Sequence, residues 1–292
     1  MSAGRLPAWA QKRESHYEAL HVLKAAFRER ELRTVCESAR CPNIHECFHR
    51  KTAAFLILGP QCSRGCGFCS IPRQNPDRRL SPPDEEEPAR VAQMAAALRL
   101  DYVVITSVTR DDLADGGAAH FARTVEEIRK ALPEARIEVL TPDFRAARAA
   151  IRRVLDAAPD VFNHNIETVP RLYARVRPQA NYEGSLEVLR WARQCRPATL
   201  LKSGLMVGLG ESPDEVERTL ADLRAAGVEV VTIGQYLRPT RRNLPVQEYV
   251  TPAQFEAYRV CGERMGFKMV FSGPLVRSTY MADQVWARTE RL

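Results

Sequence analysis

The sequence predicts an α/β fold in which strands and helices alternate along the chain. The first observation is a series of short, β-branched apolar runs, at 53–59, 102–106, 136–140, 161–165, 199–208 and 228–235. Such runs are typical of strands buried on both faces of a parallel sheet. Amphipathic stretches separate them, and six such units in succession favour a partial (β/α)6 barrel of the TIM type. A doubly wound sheet is the alternative.

The stretches between these runs have the start and stop signals of helices. Apolar residues recur at helical spacing over 87–100, 214–227 and 255–266. The sequence Ser-Pro-Asp-Glu at 212–215 is typical of a capped helix start, and Gly227 is typical of a helix end. These segments are therefore predicted to be crossover helices of the barrel.

Polar residues follow several of the predicted strands. They form the sequences TSVTRDD, TPDF, HNIET and GQYLRPT, after the second, third, fourth and sixth strands. In a barrel of this type the carboxyl ends of the strands lie at one face, where active sites are built. We therefore expect a single site at that face.

Composition excludes several classes of protein. With 45% hydrophobic and 27% charged residues among 292, the chain is typical of a globular protein with a sizeable core. The net charge of +7 is spread along the chain without a nucleic-acid-binding motif, so we expect no nucleic-acid partner. The N-terminus is polar and no apolar run is long enough to span a bilayer, which predicts a cytoplasmic protein without a signal peptide or a membrane partner.

The eight cysteines are unevenly distributed. Six lie between positions 36 and 69, whereas Cys195 and Cys261 lie in predicted helices and are interpreted as small buried apolar residues. In a cytoplasmic chain, clustered cysteines indicate metal binding or catalysis rather than disulfides.

Cys62, Cys66 and Cys69 form one tight triplet with three and then two intervening residues. Three thiolates hold a four-iron cluster at three irons and leave the fourth open to a small molecule, which is typical of a catalytic rather than a structural centre. Gly65 and Gly67 allow the loop to curl around such a cluster. The alternative is a closed zinc site with a histidine, His45 or His49, as the fourth ligand.

This triplet, with Phe68 before its last cysteine, resembles the signature of the radical S-adenosylmethionine superfamily. The resemblance implies a catalytic [4Fe–4S] cluster on Cys62, Cys66 and Cys69. Its open iron would chelate the amine and carboxylate of S-adenosyl-L-methionine. An electron from the cluster would then cleave the sulfonium and give a 5′-deoxyadenosyl radical.

A second triplet, Cys36, Cys41 and Cys47, has four and five intervening residues. It resembles the N-terminal extension of the lipoyl synthase family, in which these cysteines hold an auxiliary [4Fe–4S] cluster. The resemblance continues along nearly the whole chain, in VVITSVTRDDLADGGAAHF, VFNHNIETVPRLYARVRP, KSGLMVGLGE, TIGQYLRPT, LPVQEYV and GPLVRSTY. It implies three parts: the extension over 1–52, a radical barrel over 53–272 and a cluster-capping segment over 273–292.

The family resemblance implies insertion of two sulfur atoms into an octanoyl chain on a carrier-domain lysine, with the auxiliary cluster as sulfur donor. An alkane C–H bond has no acidity that a general base can exploit, so radical chemistry is required. Two alternatives remain open. One is another radical enzyme that inserts sulfur or transfers a methylthio group, on a free small molecule or RNA; the other is a zinc-stabilised binding module.

The same resemblance implies the partners of the protein. They are octanoylated lipoyl domains of 2-oxoacid dehydrogenase complexes and the glycine cleavage H protein, a reductant of the ferredoxin or flavodoxin type, and iron–sulfur carrier proteins.

The resemblance also implies the residues that bind S-adenosyl-L-methionine. Asn165 and Glu167 would bind the ribose, Ser107 and Arg218 the methionyl group, and Phe68 would lie at the cofactor.

The sequence departs from the family pattern at two positions. The auxiliary cluster's fourth ligand in the family is a serine just before a tyrosine, and that position is Thr279 here. We expect Thr279 to be the ligand, with Ser278 as the fallback, because side chains alternate along an extended chain. The second departure is Asn243, where many members of the family have histidine.

Overall fold

The computed structural model describes residues 6–11, 17–49, 54–280 and 282. Within them it contains seven strands: β1 (Ala54–Ile57), β2 (Tyr102–Ser107), β3 (Arg136–Leu140), β4 (Val161–Asn163), β5 (Leu200–Val207), β6 (Val230–Gln235) and β7 (Met269–Gly273). In the sheet they are ordered as in the chain, from β1 to β7. The predicted α/β fold with a parallel sheet is confirmed, and each of the six predicted runs overlaps one strand.

The chain forms two compact units. The first unit comprises Glu14–Gly65 and Ile71–Phe162, and the second comprises Met1–Arg13, Cys66–Ser70 and Asn163–Leu292. The predicted three-part division at residues 52 and 272 concerns the roles of the segments and stays a prediction.

Parallel pairing in the first unit brings the carboxyl ends of β1 and β2 together, with Ile57 opposite Ser107. β2 pairs with β3 in the same sense. The described residues of this unit contain six α-helices: α1 (Tyr17–Glu29), α2 (Val35–Ser38), α3 (Ile44–His49), α4 (Glu87–Ala97), α5 (Ala118–Ala131) and α6 (Arg148–Asp156). The strands are buried because apolar β-branched side chains fill both of their faces.

In the second unit, β5, β6 and β7 pair in parallel. Its helices are α7 (Tyr173–Val176), α8 (Tyr182–Cys195), α9 (Pro213–Ala225) and α10 (Pro252–Arg264). The seventh strand extends the six predicted ones. It was not recognised because its sequence, MVFSG, is short and only one of its residues is fully buried.

Helix α9 has the local signals that the sequence predicted. The Ser212 hydroxyl accepts a hydrogen bond from the Glu215 N–H, and the Glu215 carboxylate accepts one from the Ser212 N–H, which together form a capping box. Gly227 follows the helix with φ 90°, a left-handed conformation that glycine adopts without strain. Among the described residues no helix is both long and apolar enough to cross a bilayer.

Candidate active site

Cys62 follows β1, and its sulfur accepts two backbone hydrogen bonds. The donors are the N–H of Arg64 at 3.4 Å and the N–H of Thr109 at 3.3 Å. Thr109 comes just after β2, so the carboxyl end of that strand fixes the position of the sulfur. N–H donors to a ligating sulfur tune the cluster that it binds. The surroundings of Cys62 therefore fit an iron–sulfur ligand.

A buried arginine holds the start of the cysteine loop. The Arg64 guanidinium donates to both oxygens of Asp111, at 2.7 and 2.8 Å, and to both oxygens of Asp143, at 2.6 and 2.8 Å. Burial alone would raise the pKa of Asp111, but the hydrogen bonds and charge of Arg64 outweigh burial and lower that pKa. Because Asp111 follows β2 and Asp143 follows β3, one side chain ties the loop to two strand ends.

Ser107 is the last residue of β2. Its hydroxyl oxygen is buried and has no hydrogen-bond partner among the described residues. Buried polar atoms are nearly always paired, so an unpartnered hydroxyl at a strand end is suited to a polar group of a ligand. This observation fits the predicted contact with the methionyl group.

The N-terminal triplet lies on α2, α3 and the turn between them. The Cys36 carbonyl accepts a hydrogen bond from the Cys41 N–H at 2.9 Å, and the Cys47 N–H donates to the Asn43 carbonyl at 2.9 Å. Burial raises the pKa of Cys36, and the negative charges of Cys41 and Cys47 raise it further. Thiols close enough to disfavour one another's ionisation are a donor set that a cationic iron cluster would stabilise. The triplet therefore fits a cluster.

Cys66 and Cys69 belong to the second unit, where Asn243 and Leu244 hold the cysteine loop by hydrogen bonds. The Asn243 amide donates to the Cys69 carbonyl at 2.8 Å, and the Leu244 N–H donates to the Gly67 carbonyl at 2.9 Å. Phe68 packs against the apolar core of this unit. The core thus supports Phe68, the residue that is predicted to lie at the cofactor.

Gly65 and Gly67 are explained by close approach rather than by backbone conformation. A Cβ atom at Gly67 would lie 2.8 Å from the Leu244 side chain, and one at Gly65 would lie 3.0 Å from the Arg73 side chain. Neither glycine has a positive φ. The loop therefore needs glycine at these positions because neighbouring side chains occupy the space of a Cβ.

Asn165 and Glu167, the predicted ribose-binding residues, contact each other after β4. The Asn165 amide donates to the Glu167 carboxylate at 3.1 Å. Burial raises the pKa of Glu167, although Arg177 and Asn165 oppose the change. The Asn165 side-chain oxygen is buried and has no hydrogen-bond partner in the described part of the chain. This buried oxygen is an acceptor suited to a ligand hydroxyl.

The backbone at Glu167 is strained and held in place. Its φ is 68°, in the left-handed region that a glutamate rarely adopts. Its N–H donates to the Gly204 carbonyl and its carbonyl accepts from the Met206 N–H, both at 2.9 Å, which fixes it against β5. Arg177, which sequence reasoning missed, donates to the Asn165 carbonyl at 3.1 Å. Strain that is held by hydrogen bonds in this way is typical of functional sites.

The C-terminal segment crosses β5 and β6 where both strands have glycine. A Cβ atom at Gly234 would lie 2.1 Å from the Val276 carbonyl oxygen, and one at Gly204 would lie 3.4 Å from the Ser278 side chain. The Asn165 amide donates to the Ser278 hydroxyl at 3.1 Å. The segment therefore reaches the predicted ribose-binding residues.

The conformation at Thr279 differs from the extended chain expected from the sequence. Residues 278–280 form a turn, and the Tyr280 N–H donates to the Arg277 carbonyl at 3.0 Å. Strict alternation of side chains does not hold in a turn, so the alternation argument that favoured Thr279 over Ser278 was wrong. The hydrogen bond from Asn165 to Ser278 is the observation that distinguishes the two hydroxyls instead.

Several residues that the sequence analysis considered do not belong to the groups described above. Arg218 is exposed on α9, and the structure does not gather it with Asn165 and Glu167. Cys195 and Cys261 lie in α8 and α10 and are half-buried rather than fully buried. The side chain of His49, one of the possible zinc ligands, lies outside the described residues.

The described residues contain no set of three Cys, His, Asp or Glu side chains that converges as ligands of one metal ion. The arrangement expected for the closed zinc site is therefore not seen in the part of the chain that the structure describes. This does not bear on a four-iron cluster, because each thiolate there binds a different iron and the sulfurs are farther apart.

The fold and the cysteine loop together define a radical enzyme that uses S-adenosyl-L-methionine and a [4Fe–4S] cluster. The model of the radical SAM superfamily matches residues 56–223. Lipoyl synthase from Rubrobacter xylanophilus is 52% identical over 95% of this chain and 85% of its own length. Lipoyl synthase from Caldanaerobacter subterraneus is 52% identical over 96% of both chains. The chain belongs to the lipoyl synthase family of the radical SAM superfamily, and the predicted enzyme class, a radical sulfurtransferase, is confirmed.

Solved structures of low sequence identity agree on the fold. Methylornithine synthase superposes with a TM-score of 0.57 at 14% identity, over 97% of this chain and 90% of that chain. HydG, a maturase of the [FeFe]-hydrogenase, superposes with a TM-score of 0.57 at 13% identity, over 73% of this chain and 49% of that chain. At such low identity these similarities concern architecture alone.

Proposed function

We propose that this protein inserts two sulfur atoms into the octanoyl chain of an octanoyl-lysyl carrier domain, and that an auxiliary cluster on Cys36, Cys41 and Cys47 donates them. The observation that supports this most directly is the second cysteine triplet, which is held by backbone hydrogen bonds at the buried Cys36. A cluster held by a second set of three thiols contains sulfide that can be transferred to a substrate. The family relationship supports the same reaction.

The cluster on Cys62, Cys66 and Cys69, when bound, supplies the electron that generates the hydrogen-abstracting radical from S-adenosyl-L-methionine. The chain's own residues would bind and orient S-adenosyl-L-methionine. Asn165 and Glu167 offer a buried acceptor and a carboxylate for the ribose hydroxyls, and the unpartnered Ser107 hydroxyl suits the methionyl group. Because the Ser278 hydroxyl already accepts from Asn165, we assign the auxiliary cluster's oxygen ligand to Thr279.

The proposed substrates are octanoylated lipoyl domains of 2-oxoacid dehydrogenase complexes and the glycine cleavage H protein. Because these substrates are proteins, their binding requires a protein-sized docking surface as well as a site for the octanoyl chain. A one-electron reductant of the ferredoxin or flavodoxin type and iron–sulfur carrier proteins complete the proposed partners, all in the cytoplasm.

The proposal is tested by anaerobic reconstitution with iron and sulfide, followed by incubation with S-adenosyl-L-methionine, reductant and an octanoyl-lysyl peptide. The expected result is a peptide heavier by two sulfur atoms, with formation of 5′-deoxyadenosine. Cys36→Ser is the matched control: it should keep 5′-deoxyadenosine formation and lose sulfur transfer. Sulfur transfer by Cys36→Ser at the wild-type rate would refute the auxiliary cluster as donor, and no product from wild-type protein with both clusters intact would refute the reaction.

A further inference from the structure

The chain turns sharply where it leaves β1. Leu58 and Gly59, the first two residues after the strand, have φ values of 69° and 93°. Glycine adopts this left-handed region freely, whereas leucine rarely does, because its Cβ atom crowds the backbone there. Cys62 lies four residues after Leu58. The conformation at Leu58 therefore sets the direction in which the chain enters the cysteine loop.

A buried carboxylate holds the N–H of Leu58. The Glu87 Oε2 atom, at the start of α4, accepts a hydrogen bond from this N–H at 2.8 Å. The same oxygen accepts a hydrogen bond from Nε2 of His120, on α5, at 2.7 Å, since a carboxylate can only accept. Both side chains are buried. Two contacts on one oxygen fix the orientation of the carboxylate, so His120 acts on Leu58 through Glu87.

A buried guanidinium holds the carbonyl of the same residue. Nη1 of Arg110 donates to the Leu58 carbonyl at 3.2 Å. The Asp112 carboxylate accepts from Nε and Nη2 of Arg110 at 2.9 and 2.8 Å, which fixes the guanidinium in turn. Thr109, the residue before Arg110, donates its N–H to the Cys62 sulfur at 3.3 Å. The segment after β2 therefore contacts the chain both at Leu58 and at Cys62.

The side chain of Leu58 is held as well. It is buried, and a Cβ atom at Gly117, just before α5, would overlap its Cδ1 atom. Glycine at position 117 thus leaves the space that the leucine side chain fills. Strained backbone conformations persist where the surroundings hold them in several ways at once, and they are concentrated at functional sites.

We propose that Glu87, oriented by His120, and Arg110 are positioning residues for the catalytic cluster, and we call these three residues the Leu58 clamp. The clamp holds Leu58 in its left-handed conformation and so places Cys62 for iron ligation before a cluster binds. The inference rests on the proposed assignment of that cluster to the loop of Cys62. The clamp and Cys62 belong to the same unit. A ligand that is placed in advance needs less ordering when the cluster binds.

Four variants test the clamp. Glu87→Met removes the acceptor for Leu58 and keeps the length of the side chain, whereas Glu87→Gln keeps an amide oxygen that can accept both hydrogen bonds. His120→Leu leaves the carboxylate without its orienting donor, and it carries the test if Glu87→Met does not fold. Val125→Ala is the control, because it truncates a fully buried side chain of α5 more than two turns from Gly117.

The first readout is hydrogen exchange of the full-length protein before reconstitution, followed by mass spectrometry. Over residues 55–65, Glu87→Met should exchange about tenfold faster than wild type and His120→Leu about threefold faster, since each loses a hydrogen bond to a charged group. Glu87→Gln and Val125→Ala should stay within about twofold of wild type in this segment. A general loss of stability would instead speed exchange in β3 to the same degree.

The second readout is the change that S-adenosyl-L-methionine causes in the electron paramagnetic resonance spectrum of reduced, reconstituted protein. Only a cluster with an open iron gives this change, so the auxiliary cluster does not contribute. Removing groups that orient metal ligands typically weakens metal binding tenfold or more, so the signal should disappear about tenfold faster under a chelator in Glu87→Met. Glu87→Gln and Val125→Ala should match wild type.

The proposal would be overturned if residues 55–65 exchanged at the wild-type rate in both Glu87→Met and His120→Leu, or if Val125→Ala sped exchange there equally. Failure of Glu87→Gln to restore either readout would overturn it as well, as would a wild-type cluster that survives the chelator no longer than that of Glu87→Met. Neither readout uses sulfur transfer. A protein that passes both but transfers no sulfur would therefore refute the proposed function and leave the clamp in place.

Discussion

The side-chain amide of Asn243 donates a hydrogen bond to the backbone carbonyl of Cys69 at 2.8 Å, and its oxygen accepts one from the Thr240 hydroxyl at 2.7 Å. Asn243 thus ties a cluster cysteine to the segment before LPV. Asn243→Ala should loosen this part of the loop. For a lost hydrogen bond worth about 1 kcal/mol, we expect the iron–sulfur absorbance of reconstituted protein to bleach about fivefold faster under a chelator.

Asn243→His is the control, because histidine keeps one N–H donor at this position. It should bleach at close to the wild-type rate. Bleaching of Asn243→Ala at the wild-type rate would show that the loop is positioned by other contacts, such as the Leu244 N–H to the Gly67 carbonyl.

The buried pairing of Arg64 with Asp143 should contribute strongly to stability. Asp143→Ala leaves part of a buried guanidinium without its carboxylate partner, so the free energy of unfolding should fall by about 3 kcal/mol. Asp84→Ala removes a carboxylate that pairs with Arg90 and is half exposed, and should cost less than about 1 kcal/mol. Urea denaturation of both variants measures the difference, and equal losses would contradict the ranking.

The sequence predicted the parts of the molecule that depend on local pattern. The six strand positions follow from runs of β-branched residues, and the capped start of α9 follows from Ser212 and Glu215. The pairing of Arg64 with Asp111 and Asp143 was not predicted, although both carboxylates lie in polar clusters that were recognised. A pattern indicates that such residues meet at one edge of the sheet, but only the packed backbone determines which side chains touch.

At two further places the backbone conformation could not be predicted from the local sequence pattern. The left-handed turn from Phe144 to Ala146 contains no glycine or asparagine, the residues that usually mark a positive φ. The turn near Thr279 depends on contacts of the C-terminal segment with glycines more than forty residues away in the chain. In both cases tertiary contacts, rather than propensity, determine the backbone.

Glu229 should make the stability of the protein depend on pH. Burial alone would raise its pKa, but hydrogen bonds from Lys268 and Arg193 outweigh burial and lower that pKa below its ordinary value. A lowered pKa contributes stability above the unfolded-state value of about 4.3 and loses it as the pH falls through the folded-state value. Glu229→Gln should therefore be less stable at pH 7 and should lose less stability between pH 5 and pH 3.

Thermal unfolding of wild type and Glu229→Gln across that pH range provides the measurement. Glu187→Gln, which changes an exposed glutamate on α8, is the control and should follow the wild-type curve closely. Parallel curves for wild type and Glu229→Gln would show that Glu229 has no part in the acid sensitivity.

Two glycine substitutions should have opposite effects on stability. At Gly204 a Cβ atom would lie 2.5 Å from the Thr232 hydroxyl and 3.0 Å from the Asn165 side-chain oxygen, so Gly204→Ala should destabilise the protein and displace the C-terminal segment. At Gly184, in α8, the nearest atom would be 3.6 Å away, so Gly184→Ala should stabilise the helix by about 0.5–1 kcal/mol. Denaturation midpoints and protease sensitivity of the C-terminal segment test both, and stabilisation by Gly204→Ala would contradict the packing described here.

The two hydroxyls of the C-terminal turn should have separable roles. Thr279→Val removes a hydroxyl but keeps the β-branch, and we expect it to abolish sulfur transfer, to alter the Mössbauer spectrum of the auxiliary cluster and to leave 5′-deoxyadenosine formation intact. Ser278→Ala removes the acceptor for Asn165 instead, so it should keep the cluster spectrum and weaken binding of S-adenosyl-L-methionine. The reverse result, with the cluster spectrum altered only in Ser278→Ala, would make Ser278 the ligand and leave Thr279 as part of the turn.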